Sequence, residues 1–291
     1  MSSATAPRPA AARRSIRVSQ SVTRYASAVR SPRGIVGLGL LVILVAVSVL
    51  APVLFPDGYD AQGSNSLSGP SWPAILGTDE LGRDIFVRTM YGLRTDISLI
   101  FVGVPISAII GTLLGLSGAV SSVLGNVVQR LLDIILGFPS LVLGISIVIV
   151  FSPGWISLVI AITIFGLPGF GRLARASLLR QQQQEYVIAA QVLGVSKARI
   201  MTRHILPNAI DPIIVQVAIA MVGGIFLESA LSIVGLGIQP PSPSLGSLMN
   251  TGIRYLQQQP AYVIGPIIVL LLLALAFSLL ADALNEAVNR R

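Results

Sequence analysis

Side chains that ordinarily carry chemistry are scarce in this sequence. Cysteine is absent, which removes disulfides, thiolate catalysis and thiolate metal sites together. The single histidine, His204, has no second imidazole with which to hold a metal, so no metal site is expected and packing or hydrogen bonding within its loop suits it better. The single lysine, Lys197, sits in Gly-Val-Ser-Lys-Ala, whereas a phosphate-cradling Walker A loop ends in Gly-Lys-Ser/Thr. Neither ATP hydrolysis by that route, nor a catalytic residue, nor a bound cofactor is expected. Among the acids, Glu228 lies deep in an apolar run. It stands 17 residues beyond Asp211, or roughly 25 Å along a helix crossing a core of about 30 Å, toward the outer side. An intramembrane carboxylate is costly and usually faces a polar interior. Glu228 therefore either lines a translocation pathway or its outer gate, or makes a buried hydrogen bond to Ser229 or Ser232. Asp96, Asp133 and Asp282 are expected at solvated ends of their segments.

The other polar concentration runs from Glu185 to Asn208, EYVIAAQVLGVSKARIMTRHILPN. Glu185, Tyr186, Ala189, Ala190 and Leu193 recur at helical spacing. Gly194 then ends the helix, because glycine enters a left-handed cap without steric strain. Ser196 is placed to cap a second helix beginning at Lys197. Arg199, Ile200, His204 and Ile205 fall within it, and Pro207 comes where it must end or kink. Two short helices around a glycine turn are expected, with Ala189 and Ala190 leaving one face shallow enough to fit closely against another surface. Periodicity alone also allows an ordinary connecting loop.

Over the 291 residues, 53% are hydrophobic and 11% charged, and the mean hydropathy is +0.81. Soluble domains carry about 25% charged residues, so this is an all-α integral membrane protein. A net charge of +8 comes without a basic, aromatic-interleaved face, which argues against nucleic acid. The arginines cluster beside apolar runs, as positive-inside topology requires. Residues 1–33 hold seven arginines and no acid and form a basic cytoplasmic tail. An apolar stripe through Ile16, Val18, Val22, Tyr25 and Val29 lying on lipid, or a disordered tail, are both compatible with it. Residues 34–55 form the first transmembrane helix, and further apolar stretches at about 97–120, 131–151, 155–171, 212–236 and 262–284 bring the spans to six.

Pro105, Pro139 and Pro168 interrupt spans where neighbouring helices can satisfy the freed backbone. Gly111 and Gly115 form a small-xxx-small pair suited to close helix packing. Counting from a cytoplasmic N-terminus places residues 172–211 and the C-terminus in the cytoplasm. Asp211-Pro212 reads as an N-cap followed by proline at the first position of the fifth span. Residues 56–95 form an extracytoplasmic segment with an amphipathic helix on Ile85, Phe86, Thr89, Met90 and Leu93. The pairs Asp79/Arg83 and Asp84/Arg88 lie in the favourable acid-first i,i+4 order on that stretch. Residues 96–291 complete the five-helix remainder of the transmembrane domain.

Three stretches carry a family resemblance. The spacing of Glu185, Ala189-Ala190, Gly194 and Ile205-Leu206-Pro207 resembles the EAA loop of ABC-importer permeases, with Glu185 four residues before Ala189 as in the peptide-transporter branch. LGTDELGRD with the following Tyr91-Gly92, and GLGIQPPSPS from Gly235, are similar to segments of the C-type permeases of dipeptide and oligopeptide importers. The resemblance implies a six-helix, MetI-like permease fold with a cytoplasmic coupling-helix loop. In that family the loop docks into a cleft of an ATPase subunit. It further implies a heterodimer with a second permease, two cytoplasmic ATPase subunits that use ATP and Mg, an external substrate-binding protein, and a peptide substrate. Within the same class the solute could instead be nickel, glutathione, haem or similar. A secondary transporter driven by an ion gradient would want several intramembrane carboxylates as a relay, against which a lone Glu228 argues. A non-transporting membrane scaffold is the remaining rival.

Overall fold

Helix α1 (Pro32–Leu54) begins where local chemistry favours a start. The Ser31 hydroxyl accepts from the Gly34 amide at 3.0 Å, and Pro32 opens the first turn, where a missing N–H costs nothing. The computed structural model describes residues 25–289, apart from the side chains of Lys197, His204 and Asn208. Residues 25–30 are helical and bury Ala28. The expected stripe at Ile16, Val18 and Val22 lies outside the described residues.

Helix α2 (Ile85–Leu116) is capped by Asp84, whose carboxylate accepts from the amides of Phe86 at 2.7 Å and Val87 at 3.2 Å. Burial pushes that carboxyl above its ordinary range, and the two amides draw it partly back. Two expectations are corrected here. No separate surface helix precedes the second span, because the amphipathic stretch forms the first turns of α2 itself. At 32 residues the helix is about 48 Å long and exceeds a core of about 30 Å, so those turns project beyond it. Nor does Asp84 pair with Arg88, since capping takes its oxygen and Arg88 reaches Asp79 instead.

The third expected span is broken. Helices α3 (Ser122–Gly137) and α4 (Ser140–Phe151) meet at a bend of 97°. Pro139 lacks the amide a continuous helix would need, and Phe138 before it is extended at φ −86°, ψ 136°. Then follow α5 (Trp155–Gln182), α6 (Glu185–Val192), α7 (Lys197–Ile200), a π-helical segment (Met201–Ile205), α8 (Leu206–Ile233), α9 (Leu245–Ile253) and α10 (Ala261–Asn289). Helix α8 opens at Leu206 and not at Pro212, so Asp211 is not its cap. Pro207 already occupies the proline-tolerant first turn, and the Asp211 carboxylate accepts from the Tyr25 hydroxyl at 2.6 Å.

Among the described residues, five helices are long and apolar enough to cross a membrane, or up to six if the bent pair is one span. Only 28% to 44% of each apolar window is buried, so most of this hydrocarbon faces outward, as lipid permits and water does not. Among the described residues the chain is all-helical apart from an isolated bridge between Thr78 and Asp84. The longest seam joins α2 to α5, where a Cβ on Gly115 would lie 2.2 Å from the Gly171 carbonyl and one on Gly111 2.8 Å from that of Leu167. The expected close-packing pair is thus the contact line of the bundle. Leu99, Ile100, Val104, Leu158, Ile162, Phe170, Ile225 and Leu273 fill the core around it.

Candidate functional site

At one end of the bundle, α6 and α7 form the pair of short helices that the sequence suggests. The Gly194 amide donates to the Gln191 carbonyl and the Val195 amide to that of Ala190, both at 3.0 Å. Gly194 itself sits at φ +73°. This is a Schellman cap, which satisfies two terminal carbonyls and reverses the chain. Val187, Ala190, Ile200 and Ile205 are buried against Leu116 of α2 and Ala174 and Leu178 of α5, so the hairpin is seated on the ends of two long helices. At the second helix the Ser196 carbonyl accepts from the Ile200 amide at 3.0 Å, and no capping bond from the Ser196 side chain is made among the described residues. That helix runs on through the π-helical segment, where the Leu206 amide reaches back to the Met201 carbonyl. The wider turn joins α7 to α8 just before Pro207, which has no amide to donate.

The structure divides the residues singled out for this loop. Glu185, Ala189, Ser196, Arg199 and Pro207 are exposed, and Tyr186 is exposed with its hydroxyl against the Gln181 amide oxygen. Ala190 is 92% removed from solvent by the bundle's own packing, being 8% exposed, so the two alanines do not share a shallow outer face. The helical spacing included Leu193 but missed Ile188 and Val192, which face outward beside it. Ile188 is 48% exposed, Val192 82% and Leu193 81%. Their signal was present in the i, i+4 pairs Ile188/Val192 and Ala189/Leu193. The His204 side chain lies outside the described residues.

Toward the opposite end, Glu228 of α8 is 1% exposed. Ser232 Oγ donates to its Oε1 at 2.6 Å, Ser229 Oγ to its Oε2 at 3.3 Å, and Ser232 Oγ lies 3.3 Å from Ser244 Oγ at the N-cap of α9. Asp96 is a correction. It is not a solvated end but 1% exposed, and its Oδ2 accepts from the Leu245 amide at 3.2 Å. Because α2 starts twelve residues earlier than the apolar run, Asp96 sits well inside the helix and faces Glu228. Its Oδ1 has no hydrogen-bond partner among the described residues. A carboxylate from each of two helices thus meets the first turn of α9, whose amides favour negative charge. Gly246 lets that turn approach closely, since a Cβ there would lie 2.6 Å from the Ser232 side chain.

Outside the spans, Asp79 is fully buried and accepts from Arg83 Nε at 2.7 Å and from Arg88 Nη1. Arg83 also reaches Asp60 at 2.9 Å and Glu80 at 3.2 Å, and Tyr262 of α10 donates to Glu80 at 3.0 Å. The LGTDELGRD stretch is therefore a folded knot tied to α2 and α10, not a row of solvated charges.

An all-helical bundle with five long apolar helices, a bent pair and a short helical hairpin seated across two helix ends is a multi-pass membrane protein. Residues 103–291 match the family described as binding-protein-dependent transport system inner membrane component. The chain belongs to that family. It is 36% identical over 257 residues to the dipeptide transport system permease protein DppC of Alkalihalophilus pseudofirmus, covering 88% of this chain and 84% of that protein. It is 34% identical over 260 residues to the glutathione transport system permease protein GsiD of Pectobacterium atrosepticum, covering 87% and 86% respectively. A chain from an inward-facing structure of the MetNI methionine ABC transporter superposes with a TM-score of 0.58 at 19% identity, covering 71% of this chain and 97% of that one. That likeness bears out the MetI-like fold.

Proposed function

We propose that this chain is the permease subunit of an ABC importer for dipeptides and oligopeptides, and that α6 and α7 are its coupling element. The observation that carries the coupling role is the exposure of Val192 and Leu193 on a hairpin whose other face is anchored to α2 and α5. An apolar face held rigidly by the bundle is suited to a partner's cleft. On this reading two cytoplasmic ATPase subunits bind and hydrolyse ATP with Mg, a second permease pairs with this one, and an external binding protein delivers the peptide. The hairpin, the N-terminus and the C-terminus are cytoplasmic, in keeping with the arginines of residues 172–211. Glu228, Ser229 and Ser232 then lie beside the outer part of the pathway.

The experiment is purification of the complete transporter carrying Leu193→Glu. A carboxylate on the exposed face should release the ATPase while the permease stays in the membrane at its normal level, and ATP-dependent peptide uptake should cease. ATPase retained with uptake intact removes the coupling role.

Another small solute in place of a peptide is the second reading, favoured by the relative named for glutathione; competition between glutathione and dipeptides for uptake separates the two. Glu228 is not a lone intramembrane carboxyl, because Asp96 is buried with it, so carboxyl count does not exclude an ion-driven carrier. Family membership carries the exclusion instead, and uptake that persists with a protonophore while ATP is supplied would agree with it.

A further inference from the structure

A cavity of about 520 Å³ opens at the end of the bundle away from the hairpin, between the first turns of α2, the start of α5, the 236–244 connection and Tyr59. Its walls carry one charged group, the exposed guanidinium of Arg94, and no carboxylate. Arg94 makes no ion pair among the described residues, whereas the neighbouring Arg83 and Arg88 are both committed to Asp79. The aromatic wall is fixed. Tyr59 and Tyr91 meet edge to face at 5.2 Å, and Trp155 Nε1 donates to Ser98 Oγ at 3.0 Å. Also in the lining, the Gln239 amide nitrogen donates to the carbonyls of Gly235 at 3.3 Å and Gly237 at 3.0 Å. That leaves the amide oxygen as an acceptor.

A fork of N–H donors, aromatic rings and an uncharged acceptor lining one cavity match one class of ligand. The guanidinium suits a carboxylate, with two donors for two oxygens. Rings suit the body of a short chain, and an amide oxygen suits an ammonium or amide N–H. The volume lies within the usual range of small-molecule sites, about 300 to 1,000 Å³. We propose that this cavity is a receiving site for the C-terminal carboxylate of a short peptide, held by Arg94 against Tyr59, Tyr91 and Trp155 on its way into the translocation pathway. The assignment rests on the peptide-import reading above and adds to it a second contact with the peptide, separate from the external binding protein.

The test uses the complete transporter with its binding protein, reconstituted in phosphatidylcholine, with Trp155→p-benzoylphenylalanine in this chain and tritiated trialanine as the probe. Irradiation should label this chain. Excess unlabelled trialanine, added after loading of the binding protein, should suppress the label, and trialanine amide should not. Arg94→Gln should lower labelling at least fivefold, and Arg94→Lys, which keeps the charge and loses the fork, should restore only part of it, with ATPase retention and binding-protein docking unchanged in both. Labelling that is absent while uptake proceeds, that is equal in Arg94→Gln, or that is equally suppressed by the amide overturns the site. Suppression on adding phosphatidylglycerol assigns Arg94 to a lipid headgroup and overturns it too. If the wild-type complex retains its ATPase but takes up no trialanine, the peptide reading and this site both fall; if it retains no ATPase, the coupling reading fails and the labelling result still decides the site.

Discussion

Gly194 and Glu228 are two residues whose type the surroundings demand for different reasons. A Cβ at Gly194 would meet no atom within 4 Å, so substitution there is opposed only by the left-handed backbone at φ +73°. That cost is about 1 to 2 kcal/mol. It is spent in the turn and not in the spans. Gly194→Val should therefore leave membrane level and permease pairing normal while the ATPase is lost on purification. Wild-type ATPase retention would show that the hairpin angle does not matter. Ala190→Glu acts differently from what an exposed alanine would suggest, because it forces a charge into the contact with Val187 and Ile200 and should unseat the whole hairpin. For Glu228, the amide of Glu228→Gln keeps size and an acceptor for Ser232, so assembly and some uptake should survive. Glu228→Leu strips both serines of their acceptor, at about 1 to 3 kcal/mol for each group left unpaired. Uptake should be lost while the complex persists. Normal uptake by the leucine variant would exclude Glu228 from the pathway, and failure of both variants to assemble would make it purely structural.

The element that depends most on its ion pairs is the 56–84 connection. Asp79 holds two arginines that are each 7% exposed at the side chain. Removing one partner of a buried ion pair costs about 3 to 5 kcal/mol, because it leaves uncompensated charge behind. Asp79→Ala should expose the connection to protease added from its own side of the membrane and lower the unfolding temperature of the purified permease, whereas Asp57→Ala, an exposed acid in the same connection, should do neither. Equal protease resistance in the two variants would reduce the knot to a surface decoration. At the other end, the hairpin of α6 and α7 borrows its stability from α2 and α5. Eight residues of α6 are too few to hold a helix in water by propensity alone.

At the scale of the whole molecule, the long helices place the knot and the cavity at one end and the hairpin at the other. Cysteines introduced at Ser64 and Ser196 into this cysteine-free chain test which end faces the cytoplasm. With membrane-impermeant maleimide on intact cells, Ser64→Cys should label and Ser196→Cys should not. The reverse pattern would invert the topology and with it the coupling assignment. The same geometry joins the cavity end of the molecule to the bundle interior, since Asp96 bonds the Leu245 amide of α9 and Glu228 lies within the serine cluster that reaches Ser244 of the 236–244 connection.

The sequence by itself determined the membrane class, because runs of more than twenty apolar residues have no other solvent in which to sit. It also determined the hairpin's glycine turn and the close-packed glycines of α2, since both follow from the absence of a Cβ, which is a property of the residue. Periodicity marked where apolar runs lie. It could not mark where helices begin, because a capped helix runs past its apolar stretch: α2 starts at Ile85 and α8 at Leu206, and both boundaries were misplaced for that reason. Only the tertiary structure could bury Asp96 against α9, turn Arg88 from Asp84 to Asp79, and decide that Ala190 faces in while Val192 and Leu193 face out. Those outcomes depend on which residue from a distant helix fills the space alongside, over separations such as that between Asp96 and Leu245. A charge reads the same in the sequence whether it is solvated or enclosed, and only its neighbours in space distinguish the two.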